Sequence, residues 1–131
     1  MVSTRGRYAL RVMIDLAEND NGNYIPLKEI AARQEISKKY LEIIVKTMVA
    51  GGLIVGASGK GGGYKLCREP KDYSVGEILR LMEGTLSPVA CVAANTNVCP
   101  RKADCKTLPM WMEYENITRE FFNGKKLSDL L

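Results

Sequence analysis

The chain has 131 residues, of which 46% are hydrophobic, and a formal net charge of +4. This size and composition predict one domain with a hydrophobic core, or one domain with an appended helix. No apolar run approaches the ~18 residues of a membrane-spanning helix. Arg11 and Asp15 interrupt the apolar stretch that a secretory signal would need after the basic N-terminus. We therefore expect a cytoplasmic protein with reduced thiols and no membrane partner.

The positive charge is concentrated in the first half of the chain. Residues 1–70 carry 11 Lys and Arg against 7 Asp and Glu, whereas residues 71–131 carry 8 of each. This asymmetry favours a polyanionic partner for the first half.

Three helices are predicted before residue 51. Apolar residues at helical spacing predict the first over residues 3–19. The second is predicted from Leu27 to Arg33, and the third, capped by Ser37, as far as Ala50 with an inward stripe that includes Val49. Two short helices joined by a tight turn are typical of a helix-turn-helix, whose second helix enters the DNA major groove. Many small helical bundles also contain such a pair.

A β-hairpin is predicted directly after the third helix. Two β-prone runs, residues 53–55 and 64–67, flank the glycine-rich segment 56–63, which is the arrangement called a wing. The letters GKGGGY resemble a phosphate-binding loop, but such a loop leads from a strand into a helix, so nucleotide binding is not expected. Lys60 at the hairpin tip is expected to contact DNA phosphate or enter the minor groove.

Two further helices follow. Ser74 and Glu77 form a capping-box pattern for a helix that ends at Gly84. A long helix is predicted from about Thr107 to Asn123, and Ser128 is expected to cap a last turn. The long helix has two adjoining apolar stripes, one for the chain's own domain and one for a second copy. The alternative is that it completes a monomer core. The predicted dimer interface comprises Met110, Trp111, Tyr114, Ile117 and Phe121.

Three of the four cysteines lie within 15 residues, at Cys91, Cys99 and Cys105. Thiolates ligate iron–sulfur clusters. Zinc is a second possibility, although the C-x2-C spacing usual in structural zinc sites is missing. Thiol oxidation is a third, because neighbouring basic residues can lower a thiol pKa. The remaining alternative is a loop whose thiols have no functional role.

An enzyme is not expected. The sequence contains no histidine. The cysteines therefore have no histidine to act as the base that activates a nucleophile. Cys67, the fourth cysteine, is expected to be a small core residue at the end of the wing.

Four segments together resemble the IscR/NsrR/CymR superfamily of bacterial winged-helix transcription regulators. They read STRGRYALRVMIDLA, PLKEIAARQEISKKYLEIIVKTMVAGGLI, GKGGGYKL and SVGEILRLMEG, and the similarity covers nearly the whole chain. The resemblance implies a mainly α fold with a small β-hairpin: a winged helix-turn-helix domain over 1–84, a cysteine-bearing sensor loop over 85–106, and a dimerisation helix with a C-terminal turn over 107–131. It also implies a homodimer on a two-fold symmetric double-stranded DNA operator. We expect the regulator to repress more often than it activates.

The resemblance also implies a cofactor. Many members hold an iron–sulfur cluster on cysteines at the positions of Cys91, Cys99 and Cys105, with [2Fe-2S] favoured here over [4Fe-4S]. Other members lack these cysteines and respond through protein partners, so a cluster-free, partner-controlled regulator is the alternative. Such clusters usually have four protein ligands. The histidine ligand of some relatives falls at Leu108 and the carboxylate ligand of others at Arg7, and neither residue can serve.

The fourth ligand therefore stays open. Asp104, a more distant carboxylate, Cys67, solvent and a small thiol are the candidates.

The resemblance assigns DNA contacts position by position. Glu42 stands where relatives use a base-reading glutamate, which can accept from cytosine N4. Ile43 replaces a glutamine, and Ser58 replaces the wing arginine, so we expect Lys60 to substitute for that arginine at the wing. We therefore expect an operator different from that of those relatives. The predicted DNA-binding residues are Arg5, Arg7, Lys28, Ser37, Lys38, Lys39, Tyr40, Glu42, Ile43, Ser58 and Lys60.

Overall fold

The computed structural model describes residues 1–92 and 100–131. It confirms the predicted fold class, mainly helical with one two-stranded antiparallel hairpin. Short 3₁₀ turns occupy Pro70–Asp72, Ala90–Val92, Lys102–Asp104 and Leu127–Leu130. The main elements in chain order are α1 (Thr4–Glu18), α2 (Leu27–Gln34), α3 (Lys38–Ala50), β1 (Ile54–Ala57), β2 (Gly63–Leu66), α4 (Val75–Glu83) and α5 (Leu108–Gly124).

The hydrophobic core lies among the first four helices. The buried side chains recur three or four residues apart along each helix, as an amphipathic helix requires. In α1 these residues are Ala9, Val12, Met13 and Leu16, and in α3 they are Leu41, Ile44, Val45 and Met48. The inward position predicted for Val49 is wrong. Its side chain is 39% exposed and lines the cleft beside the hairpin.

A buried ion pair joins α1 to α2. Asp15 is only 1% exposed, and Arg33 donates two hydrogen bonds to its carboxylate, at 2.7 and 3.0 Å. Gln34 donates a third, at 2.9 Å. Glu35 then adopts a left-handed conformation with φ 53°, which ends α2 and turns the chain into α3. The network therefore fixes the angle at which α3 leaves the helix pair.

The hairpin is attached to the core by backbone pairing. Its register runs from Ile54 opposite Leu66 to Ala57 opposite Gly63. Tyr64 exchanges two backbone hydrogen bonds with Ile25, at 2.8 and 2.9 Å. Gly63 has φ 142°, and a Cβ there would lie 2.2 Å from the Ile25 carbonyl oxygen, so only glycine fits.

Tyr73 anchors the far end of the hairpin. Its fully buried hydroxyl donates to the Leu53 carbonyl at 2.7 Å and accepts from the backbone N–H groups of Cys67 and Arg68. Burial raises the pKa of this phenol. Cys67 itself is exposed, so its predicted core position is wrong. Tyr73 fills the core at this point. It contacts Cys67 through the backbone N–H of that residue, and the Cys67 side chain stays outside the core.

Local hydrogen bonds cap the start of α4 and the start of the final 3₁₀ turn. The capping box of α4 is present as predicted, with Ser74 and Glu77 each bonding the other's backbone N–H. The final turn begins at Lys126, whose N–H donates to Asp129, so the cap predicted at Ser128 is wrong because that residue lies inside the turn. Buried Leu127 ties this turn to Tyr73. Across the residues that the structure describes, every helix is too short or too polar to cross a membrane.

Candidate DNA-binding surface and cysteine site

The outer face of α3 is polar and exposed at its N-terminal end. Ser37 caps the helix by accepting from the Tyr40 N–H at 3.3 Å. Because Leu41, Ile44 and Val45 are buried, the opposite face points outward. That face carries four residues of the predicted recognition set, namely Lys38, Lys39, Glu42 and Ile43. Tyr40 is half-buried and packs edge-on against Tyr8, with ring centroids 5.7 Å apart.

The hairpin tip adjoins this helix across a cleft. Ser58 and Lys60 are exposed at the tip, where Gly59 and Gly61 have positive φ. The cleft has a volume of about 420 Å³ and is lined by residues of both elements, among them Glu42, Lys46 and Ser58. Sequence reasoning missed Lys46. Its position one helical turn after Glu42 was the available signal.

The remaining predicted basic residues are also exposed. Arg5 and Arg7 lie on the first two turns of α1, and Arg7 donates to Thr4 at 3.1 Å. Thr4 lines a shallow pocket together with Ser37 and other residues of the α3 start, so this end of α1 adjoins the recognition helix. Lys28 is exposed on the first turn of α2.

Helix α5 presents an apolar stripe to solvent. Of the five residues predicted for a dimer interface, Met110, Tyr114, Ile117 and Phe121 have exposed side chains, between 51% and 60%. Trp111 is half-buried, on the side that the chain itself partly covers. Met112 is also exposed, but it lies on another face of α5, where it lines a cavity with Cys91.

Two of the three loop cysteines lie beside α5. Cys91 is half-buried in the 3₁₀ turn Ala90–Val92, which packs against α5. Cys105 precedes α5, with its Sγ 3.4 Å from the Thr107 hydroxyl. This hydroxyl, the backbone N–H groups of Thr107 and Leu108, and the charge of Arg101 lower the pKa of the Cys105 thiol. Cys99 lies outside the described residues.

Cys91 and one face of α5 both line a cavity of about 290 Å³. Its α5 wall comprises Leu108, Met112, Glu115, Asn116 and Arg119. Glu115 is 12% exposed; its Oε1 accepts from Arg119 Nη2 at 3.0 Å, and its Oε2 is buried without a hydrogen-bond partner. Leaving a buried acceptor unpaired costs about 1–3 kcal/mol, and more for a charged group. Cys91 is the one cysteine among the residues that line this cavity, and Cys105 is not among them.

The other candidates for a fourth ligand are placed differently. Asp104 is exposed on the 3₁₀ turn before Cys105, and Cys67 is exposed at the end of the hairpin. Over residues 1–92 and 100–131, no three Cys, Asp or Glu side chains already stand close enough to form a metal site.

A helix-turn-helix with an exposed polar recognition face, followed by a β-hairpin, defines a winged-helix DNA-binding protein. The chain belongs to the Rrf2 family of transcriptional regulators: residues 2–131 match this family, which is described as an iron-dependent transcriptional regulator.

Individual relatives agree with this assignment. The chain is 35% identical to the protein rrf2 of Nitratidesulfovibrio vulgaris, over 99% of this chain and 86% of that protein. It is 33% identical to the HTH-type transcriptional regulator CymR of Bacillus subtilis, over 98% of this chain and 88% of that protein. The solved structure of that CymR, the global cysteine regulator of B. subtilis, superposes with a TM-score of 0.81 at 32% identity, over 99% of this chain and 95% of that one.

A second solved structure, T. potens IscR, superposes with a TM-score of 0.74 at 32% identity, over 99% of this chain and 85% of that one. The curated relatives are transcriptional regulators, which confirms the expectation that this chain is not an enzyme.

Proposed function

We propose that this protein is a homodimeric repressor whose operator affinity responds to an iron–sulfur cluster on Cys91, Cys99 and Cys105. The observation that carries the proposal is the position of the cysteines. Cys91 lines a cavity together with α5, and Cys105 directly precedes the same helix. Ligation at these thiols therefore acts on the helix that would hold the two copies together.

The recognition helix α3 and the hairpin form the DNA contact. Lys38, Lys39 and Lys60 contact phosphates or guanines, and Glu42 reads a cytosine edge in the major groove. Arg5, Arg7 and Lys28 add phosphate contacts at the ends of α1 and α2. The exposure of all these side chains supports this assignment.

The dimer forms through α5. Met110, Tyr114, Ile117 and Phe121 follow one another at intervals of four, three and four residues, the spacing of a helix–helix seam. A symmetric pair of such stripes buries the same residues in both copies. Two copies then present two recognition helices to a two-fold symmetric operator.

The cysteine site couples to this dimer. When bound, a cluster supplies iron that responds to oxidants and to small ligands. Cys91 and Cys105 lie at the two ends of the loop, so their ligation fixes how the loop lies against α5. Release of the thiols changes the packing at the base of the dimer helix and thereby the separation of the two α3 helices.

Anaerobic purification tests the cluster directly. We expect coloured protein with iron and acid-labile sulfide, and loss of both in C91A and C105A. The matched control is C67A, because Cys67 is exposed at the end of the hairpin, and it should keep its iron. Colourless wild-type protein without iron or sulfide would contradict the cluster proposal.

A cluster-free regulator is the second candidate. The lowered pKa of the half-buried Cys105 thiol favours thiolate chemistry, and hence oxidation. In that case, metal-free protein would change its DNA affinity on mild oxidation, and C105A would not.

A further inference from the structure

Ile43 is an exposed apolar side chain on the recognition helix α3. It is 58% exposed, more than any other large hydrophobic residue of segment 1–92 except the N-terminal Met1. The buried side of α3 comprises Leu41, Ile44, Val45 and Met48. Isoleucine is also a weaker helix former than lysine, glutamine or glutamate, which an exposed helix position ordinarily carries. Neither the core nor helix formation therefore accounts for an isoleucine at this position.

Ile43 lies in the middle of the face that α3 turns away from the core. At about 100° per residue, the side chains of Lys39, Ile43 and Lys46 fall within about 60° of one another. Both lysines are exposed. Lys46 and Glu42 also line the cleft that α3 shares with the hairpin, so this face continues into the cleft. Ile43 is therefore an apolar spot flanked by cations, on a surface whose charge suits DNA.

We propose that Ile43 reads the C5-methyl group of a thymine in the DNA major groove. The inference rests on the proposed DNA-binding function and names one base feature that α3 recognises. The base edges in the major groove carry hydrogen-bond donors and acceptors, and the thymine methyl is the apolar group among them. The Ile43 side chain can neither donate nor accept a hydrogen bond. What it gains in the groove comes from removing its own surface and that methyl from water.

The stiffness of the Ile43 side chain supports this role. A β-branched residue in a helix has one strongly preferred χ1 rotamer, so it loses little rotamer freedom on packing against a methyl group. Lys39 lies four residues before it and Lys46 three residues after it, and both have side chains long enough to reach DNA phosphates. Such phosphate contacts position the helix, and the side chain between them then meets the base edges.

The other exposed apolar residues near this surface are placed less well. Val49 is 39% exposed and lies on the last turn of α3, where it lines the cleft. Val55 is 37% exposed and belongs to β1. A recognition helix contacts base edges with its N-terminal residues, and Ile43 is on the second turn of α3. It is also the most exposed of the three.

Base analogues that differ by one methyl group test the proposal. The probe is a duplex that wild-type protein selects from a random library, with each thymine replaced in turn by deoxyuridine at both symmetry-related positions. Deoxyuridine pairs as thymine does and lacks only the C5-methyl group. We expect the affinity of wild type to fall about fourfold for each contacted methyl, or about 15-fold for the two half-sites together. Fluorescence anisotropy titration measures the ratio of the two affinities.

Substitutions at Ile43 show whether this side chain senses the methyl group. I43A should bind the thymine and deoxyuridine duplexes equally, because its side chain is too short to reach the methyl, and I43V should keep part of the wild-type ratio. The control is K39A, which should bind both duplexes more weakly but keep the full ratio, because a phosphate contact does not depend on the base. Titration at low salt keeps the weaker complexes measurable. Urea unfolding checks that I43A keeps its fold, as an exposed helix position predicts.

Two results would overturn the inference and leave DNA binding intact. One is wild-type protein whose affinity changes at no deoxyuridine position, and the other is I43A with the same ratio as wild type. Wild-type protein that selects no sequence from the library would overturn both the inference and the proposed sequence-specific function.

Discussion

Asp15 is the charged side chain that the core buries within the described residues. Arg33 and Gln34 satisfy it, and through them α1 holds α2. We expect D15N to destabilise the fold by about 2–3 kcal/mol, less than the ~3–5 kcal/mol of a fully buried pair because Arg33 is partly exposed. Urea unfolding measures this loss. E18Q, an exposed glutamate on the same helix, should change stability little, and an equal loss in both variants would contradict the role of Asp15.

Glu83 ties α4 to the start of α1. Its carboxylate accepts from the Ser3 hydroxyl at 2.6 Å and from the N–H groups of Ser3 and Gly6. Burial acts to raise the pKa of Glu83, but these hydrogen bonds outweigh it and lower the pKa. The stability they contribute is therefore complete above the unfolded-state pKa and is lost as pH falls through the lower folded-state value.

The pH dependence of E83Q checks this contact. We expect wild type to be more stable than E83Q by less than about 1 kcal/mol near neutral pH, because the contact is partly solvated. The difference should shrink as the solution is acidified below about pH 4. Urea unfolding at both pH values measures it. A difference that grew on acidification would contradict the assigned hydrogen bonds.

Among the elements, we propose that α3 and the hairpin contact DNA together. We expect K39A to weaken binding to all duplexes similarly and to reduce the salt slope by about one, as a phosphate contact does. E42A should instead reduce the preference for one base pair, and we expect it to lose about 1–3 kcal/mol of discrimination against the other bases at that position. Selection from a random duplex library followed by anisotropy titration measures both. K71A is the control, and unchanged affinity and preference in both K39A and E42A would refute the docking assignment.

A substitution on the exposed stripe of α5 tests whether this helix forms the dimer interface. Ile117 is 60% exposed, so I117D should leave the fold intact. In a symmetric dimer the change removes two apolar contacts and buries two charges, which we expect to cost more than about 3 kcal/mol, or over 100-fold in dimer affinity. Analytical ultracentrifugation measures the shift, with E120Q as the control. A dimer of unchanged affinity would place the interface elsewhere.

Local sequence rules predicted the elements whose causes are local. The capping box of Ser74 and Glu77, the Ser37 cap and the hairpin after α3 are all present, because each depends on neighbours in the chain. Cys67 and Val49 were misplaced because burial there is decided by distant residues. Tyr73 fills the core beside Cys67, and the hairpin leaves an open cleft beside Val49.

In the candidate site, too, the features set by chain neighbours were predictable and those set by distant contacts were not. The exposed residues of α3 follow from helical periodicity, so the sequence predicted them. Glu115 carried no such signal, because a glutamate on a long amphipathic helix is ordinarily a solvated residue. Its burial depends on the turn at Cys91 folding back against α5, a contact between segments more than 20 residues apart.

In the whole molecule, we propose that α5 connects the DNA-binding surface, the dimer interface and the cysteine site. The turn of Cys91 packs against α5, Cys105 precedes it, and the apolar stripe runs along it. Helix α4 packs against both α5 and α1. A change at the cysteines can alter operator affinity only if the loaded and unloaded dimers hold their two α3 helices differently. The central claim is therefore a coupling between metal loading and DNA affinity.

The most direct test is an anaerobic anisotropy titration of one selected duplex with loaded protein and with the same protein after iron chelation. We expect the two dissociation constants to differ by about tenfold or more, or ~1.4 kcal/mol. C91A should match the chelated protein, and C67A should match the loaded one. Equal dissociation constants for loaded and chelated protein would show that metal loading does not control DNA affinity.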